Sequence, residues 1–104
     1  MRKISPTEFT ADRAWGALPI ERIEGATTVR LHWTDKPYRW HVNDGPEVFV
    51  VLGGEVDMHA KEGGKVVIHR LNVGEIFHAE NGDEHVAHPV GVARVLVIER
   101  EGSV

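Results

Sequence analysis

The stretch Trp40-His41-Val42-Asn43-Asp44-Gly45-Pro46-Glu47-Val48-Phe49-Val50-Val51-Leu52-Gly53-Gly54-Glu55 decides how this chain is read. On an extended strand side chains alternate, so His41 and Asn43 share one face while Trp40 and Val42 share the other. Asp44-Gly45-Pro46 is turn chemistry. Glu47 then opens an apolar run in which Glu47, Phe49 and Val51 lie on one face. A carboxylate among apolar side chains is costly unless it is paired or metal-bound, and His41 is its nearest candidate partner in sequence.

Outward from this stretch the chain keeps the same habit. Short apolar segments separated by Gly, Pro, Asn and Asp predict strands near Pro19–Ile23, Thr27–Trp33, Tyr38–Val42, Glu47–Leu52, Glu55–Ala60, Lys65–Leu71, Ile76–Ala79, Glu84–His88 and Ala93–Arg100. Gly63-Gly64, between Glu62 and Lys65, predicts a tight hairpin, because both glycines accept positive φ. The connections are too short for parallel crossovers, so the strands predict an all-β sandwich, jelly roll or closed barrel. Ser5-Pro6-Thr7-Glu8 predicts a short N-terminal helix with Ser5 as its cap. Val48–Leu52 is apolar on both faces, which predicts a covered outer face and, with it, a homodimer.

A second polar knot lies at Gly82-Asp83-Glu84-His85, where Gly82 supplies a turn that sets His85 at the start of a strand. If the two knots meet, His41, Glu47 and His85 make two imidazoles and one carboxylate. Non-haem iron sites and some catalytic zinc sites use that set.

These residues resemble the two motifs of the cupin family. His41, Glu47 and Gly54 fall on the first histidine, the glutamate and the closing glycine of the first motif. Asn43 stands at its second histidine and Asp35 at its opening glycine. Gly74, Gly82 and His85 fall on the second motif, with Glu80 where proline is usual and Pro89 where asparagine is usual. The resemblance implies a single-domain cupin-type β-barrel (jelly roll, double-stranded β-helix) of the small bacterial kind. Residues 1–104 then form one domain, with 1–18 as an N-terminal cap segment and 27–100 as the barrel core. It also implies a divalent metal (Fe, Mn, Ni or Zn) on His41, Glu47 and His85. Asn43, a neutral amide, would be a weak or outer fourth ligand, or the metal would have been lost. His32, which shares a face with Arg30, is expected to line the pocket with Phe49 and His78.

Composition narrows the function without choosing it. With 104 residues the chain suits one domain, and one site should carry its function. Twelve Lys and Arg against sixteen Asp and Glu, with no basic cluster, argue against nucleic acid. The absence of cysteine leaves nitrogen and oxygen as metal ligands. No apolar run approaches the length of a membrane span and the N-terminus has no secretory character, so a cytoplasmic protein without membrane contact is expected. The readings that stay open are a metal-dependent enzyme on a small organic substrate (dioxygenase, isomerase or lyase), a non-catalytic small-molecule binder, and a vestigial dimeric barrel without metal.

Overall fold

The computed structural model describes residues 1–103. Seven strands follow one short turn of 3-10 helix at Pro6–Glu8: β1 Gly16–Ile23, β2 Thr27–Thr34, β3 His41–Val42, β4 Glu47–Glu62, β5 Lys65–Leu71, β6 Ile76–Ala79 and β7 Glu84–Arg100. All pairings are antiparallel. The long strands β4 and β7 run beside one another and bend together, so each belongs to two layers. The first half of β4 and the second half of β7 pair with each other, with β6 beside β4 and β2 then β1 beside β7. The second half of β4 and the first half of β7 also pair, flanked by β5 and β3. The two layers close over a core of Phe49, Val51, Val56, Met58, Ala87, Ala93, Val95 and Val97, drawn from both halves of both long strands, with Leu71 from β5.

The segments Glu47–Leu52 and Glu55–Ala60, expected as separate strands, are one continuous strand, and Glu84–His88 and Ala93–Arg100 are likewise one. The glycines bend the chain without ending it. The register of β4 against β7 shifts on either side of Gly53, and Gly54 has φ of 74° with its Cα packed against β7. A Cβ at Gly54 would collide with the Val92 carbonyl oxygen, so only glycine lets the two strands approach there. The hairpin at Gly63-Gly64 forms as expected, with both residues at positive φ and Glu62 paired with Lys65.

At the N-terminus the expected capped helix shrinks to the single turn Pro6–Glu8. Ser5 makes no side-chain capping bond; its carbonyl oxygen accepts from the Glu8 amide at 3.0 Å. A helix this short gains too few hydrogen bonds to offset nucleation, so tertiary contacts set its form. Past this turn the chain runs as a strap. Arg94 on β7 donates from Nε to the Phe9 carbonyl at 2.7 Å and from Nη2 to Thr10 Oγ1 at 3.2 Å. A Cβ at Gly16 would collide with that of Ala11, so a glycine is required where the strap doubles back into β1.

Candidate metal centre and pocket

His41 and His85 are brought together by direct pairing: β3 meets the start of β7 with His41 opposite His85. Their rings meet edge to face, with centroids 4.4 Å apart. Glu47 enters from the first residue of β4, where alternation turns Glu47, Phe49 and Val51 inward and leaves Val48 and Val50 half-buried on the other face. One ligand atom from each of His41, Glu47 and His85 lies within 4.8 Å of the others, the only such set of three among the described residues.

Hydrogen bonds fix the orientation of each group. Asn43 Nδ2 donates to the Gly45 carbonyl and to Glu47 Oε1, both at 3.3 Å. That presents Oδ1 to His85, whose Nε2 lies 2.6 Å from it and 3.1 Å from Glu47 Oε1. Both of these neighbours are acceptors, so His85 Nε2 carries a proton and donates. His41 donates from Nδ1 to the Arg39 carbonyl at 3.0 Å, which fixes the ring and leaves Nε2 as its other nitrogen. Burial acts most strongly on Glu47 and pushes its carboxyl upward. The hydrogen bond and charge of His85, aided by Asn43 and His41, outweigh it and hold the carboxyl below the usual range.

This donor set fits a divalent ion. Imidazole nitrogen, carboxylate oxygen and amide oxygen are donors that divalent ions such as iron and zinc accept, and His85 Nε2 lies within hydrogen-bond reach of both oxygens. A metal held by His85 would have to take the place of the proton on Nε2, and metal binding to imidazole ligands strengthens with rising pH for that reason.

The triad opens onto a pocket of about 230 Å³. His32 and Phe49 line it, as do Trp15, Arg30, Tyr38 and Glu99. His78 does not. It is exposed on β6 opposite Val48, on the face turned away from Glu47, and borders a separate depression on the other side of His85 with Lys61, Glu62 and His69. Phe77 and Ala79 take the inward positions of that short strand, so a one-residue difference in phase removes His78 from the pocket.

His32 is anchored by Nδ1 to the Trp15 carbonyl at 3.1 Å, and burial lowers its pKa despite that bond. The remaining histidines lie elsewhere. His59 and His88 stack on each other with centroids 4.1 Å apart, and His69 bonds Glu62 at 3.1 Å.

Sequence reasoning missed two pocket groups. Glu99 is buried and accepts from Arg30 Nη2 at 2.5 Å; burial, then the neighbouring Glu47, push its carboxyl above the usual range. Its signal was available, because Val95, Val97 and Glu99 alternate inward as Glu47, Phe49 and Val51 do. Trp15 gave no signal, since its backbone has φ of 61°, a conformation unusual for a bulky residue.

No family model and no curated protein matches this chain. Among solved structures it is similar to a cupin-2 domain protein from Shewanella frigidimarina, at 21% identity and a TM-score of 0.76 over 88% of this chain and 85% of that one. A protein of Thermus thermophilus is similar at 20% identity and a TM-score of 0.75, with 94% and 95% covered. A cupin superfamily protein from Desulfitobacterium hafniense is similar at 13% identity and a TM-score of 0.75, with 96% and 92% covered. The chain therefore has the cupin fold, all-β and of the double-stranded β-helix type.

Proposed function

We propose that this barrel holds a divalent metal ion on His41, Glu47 and His85, with Asn43 as a weak or outer fourth donor, and that it binds or transforms a small organic molecule in the adjoining pocket. The observation that carries this reading is the convergence of two imidazoles and a carboxylate within 4.8 Å at the wall of an open pocket. A bound ion would supply Lewis acidity or activate a small bound molecule. The chain's own residues do the positioning: the Arg39 carbonyl sets the His41 ring, Asn43 holds Glu47 and His85 by hydrogen bonds, and Tyr38 packs edge-on against His41 at 5.4 Å.

A second reading, a binding barrel without metal, is favoured by one observation. Asn43, Glu47 and His85 Nε2 already bond one another as a polar knot. Metal content separates the two. Untagged protein loaded with Fe(II), Mn(II), Ni(II) or Zn(II) is expected to retain close to one ion per chain, and Glu47→Ala to lose it. Retention of the same amount by the variant would assign the metal to other histidines and leave the knot as a binding-site wall.

We also propose that the chain pairs with a second copy. β5 bonds only β4 and carries Val66, Val67 and Ile68 in succession at 52%, 37% and 58% exposure, an apolar strand edge of the kind that pairs with another chain.

A further inference from the structure

Three buried side-chain nitrogens have no hydrogen-bond partner among the described residues: Trp15 Nε1, Arg30 Nε and His85 Nδ1. All three belong to residues that line the one pocket containing the metal-type triad. A buried polar group without a partner costs on the order of 1–3 kcal/mol, so native proteins keep few of them. His85 also borders the second depression, so the two that belong to this pocket alone, on Trp15 and Arg30, point to a ligand that supplies what they lack. Trp15 Nε1 and Arg30 Nε are N–H groups that only donate, so the ligand must bring acceptor oxygens.

The charge of Arg30 makes the requirement more specific. One nitrogen of its guanidinium donates to Glu99 Oε1, which orients the group, and Nε has no partner among the described residues. A planar guanidinium matches a planar pair of carboxylate oxygens. A doubly charged phosphate would meet stronger repulsion from Glu47 and Glu99, which line the same pocket. At about 230 Å³ the pocket is below the roughly 300–1,000 Å³ range of drug-sized sites, so the ligand is small.

Trp15 adds an independent observation. It is one of two non-glycine residues at positive φ, a strain of about 1–3 kcal/mol that collects at ligand clamps. The strap of residues 9–15, tied down by Arg94 and by the close approach at Gly16, holds it there. Its ring meets Tyr38 and His32 edge-on at 5.3 and 6.0 Å, which holds the indole in place at the pocket wall.

We propose that the pocket takes a small organic monocarboxylate whose oxygens are received by Trp15 Nε1–H and the Arg30 guanidinium, leaving the rest of the molecule beside His41, Glu47 and His85. This inference rests on the reading of the barrel pocket as a ligand site and names its ligand class.

The test is calorimetric titration of the full chain, metal-loaded and after chelator treatment, with acetate, propionate, pyruvate, lactate and benzoate. Benzamide and inorganic phosphate serve as controls. At least one acid is expected to bind saturably at millimolar concentration or below, and about tenfold more tightly than either control. Trp15→Phe keeps an aromatic ring, though a smaller one, and removes the donor, and Arg30→Gln removes the charge; each should weaken that acid about tenfold. Arg30→Gln strips Glu99 of its partner and could unfold the chain, in which case Trp15→Phe alone decides. Absence of binding by every acid, equal binding of benzamide or phosphate, or unchanged affinity in Trp15→Phe overturns the proposal. Carboxylate binding that survives chelation supports the subsite even where the metal reading fails. Metal retention without binding of any acid overturns the subsite and leaves the metal reading standing.

Discussion

Asn43 is the residue on which the chemistry of the centre depends. It is 5% exposed and spends both ends of its amide, Oδ1 on His85 and Nδ2 on Glu47 and Gly45. Asn43→Ala leaves a buried carboxylate and a buried imidazole each short of a partner, and about 1–3 kcal/mol of stability should be lost. Urea denaturation of metal-free protein measures this, and an unchanged midpoint would mean that the amide does not hold the pair. Sequence could locate Asn43 beside His41 on one face. It could not show which partners the amide would choose, because His85 lies 42 residues away and meets it only through the pairing of β3 with β7.

The bend of β4 and the pairing of its second half with β5 govern behaviour at the element scale. Gly54→Ala forces a Cβ against the Val92 carbonyl and an L-residue into φ of 74°, so a loss of at least about 2 kcal/mol is expected from backbone strain and clash together. Thermal unfolding checks this, and a variant as stable as the parent would show that the two long strands part there freely.

Beyond the bend, Asp57 on β4 faces Arg70 on β5 as a direct cross-strand partner and accepts from its Nε at 2.5 Å. That hydrogen bond, with Arg70's charge, carries the Asp57 carboxyl below its ordinary value despite some burial. A carboxyl lowered in the folded state stabilises the fold above its unfolded pKa, near 3.9. That contribution disappears as pH falls through the still lower folded value. Asp57→Asn should therefore flatten the acid limb of the stability curve below about pH 4, and the effect should be small because the pair faces solvent. Denaturant midpoints across that range measure it; an acid limb of the parent's steepness in Asp57→Asn would place the titration elsewhere.

At the scale of the whole molecule, the edge at β5 sets the expected assembly. Ile68→Glu puts a charge into the proposed contact between copies at a position 58% exposed in the single chain. Light scattering on a sizing column should give a dimer for the parent and a monomer for the variant with its fold intact. Two equal masses would remove β5 from the interface. Among the described residues no helix is long and apolar enough to cross a membrane.

Much of this architecture was legible in the amino-acid sequence because its signals are local. Alternation, turn glycines and the Gly63-Gly64 pair placed the strands, and the inward phase of Glu47 marked a carboxylate that needs a partner. The resemblance to the two cupin motifs, on top of the two polar knots, marked His41, Glu47 and His85, which the fold gathers within 4.8 Å. Other features were decided only by the tertiary structure. β4 and β7 stay paired through the bend because Gly54 lets β4 pack against the backbone of Val92 and Ala93, which neither segment records alone. His78 faces outward because β6 takes its phase from β4, and a single residue of phase exchanges the two faces. The second half of the pocket, with Trp15, Arg30 and Glu99, comes from the strap, β2 and the end of β7, which are distant in the chain. Local pattern states which face a side chain takes on its own strand. Long-range pairing alone decides which other side chains share that face.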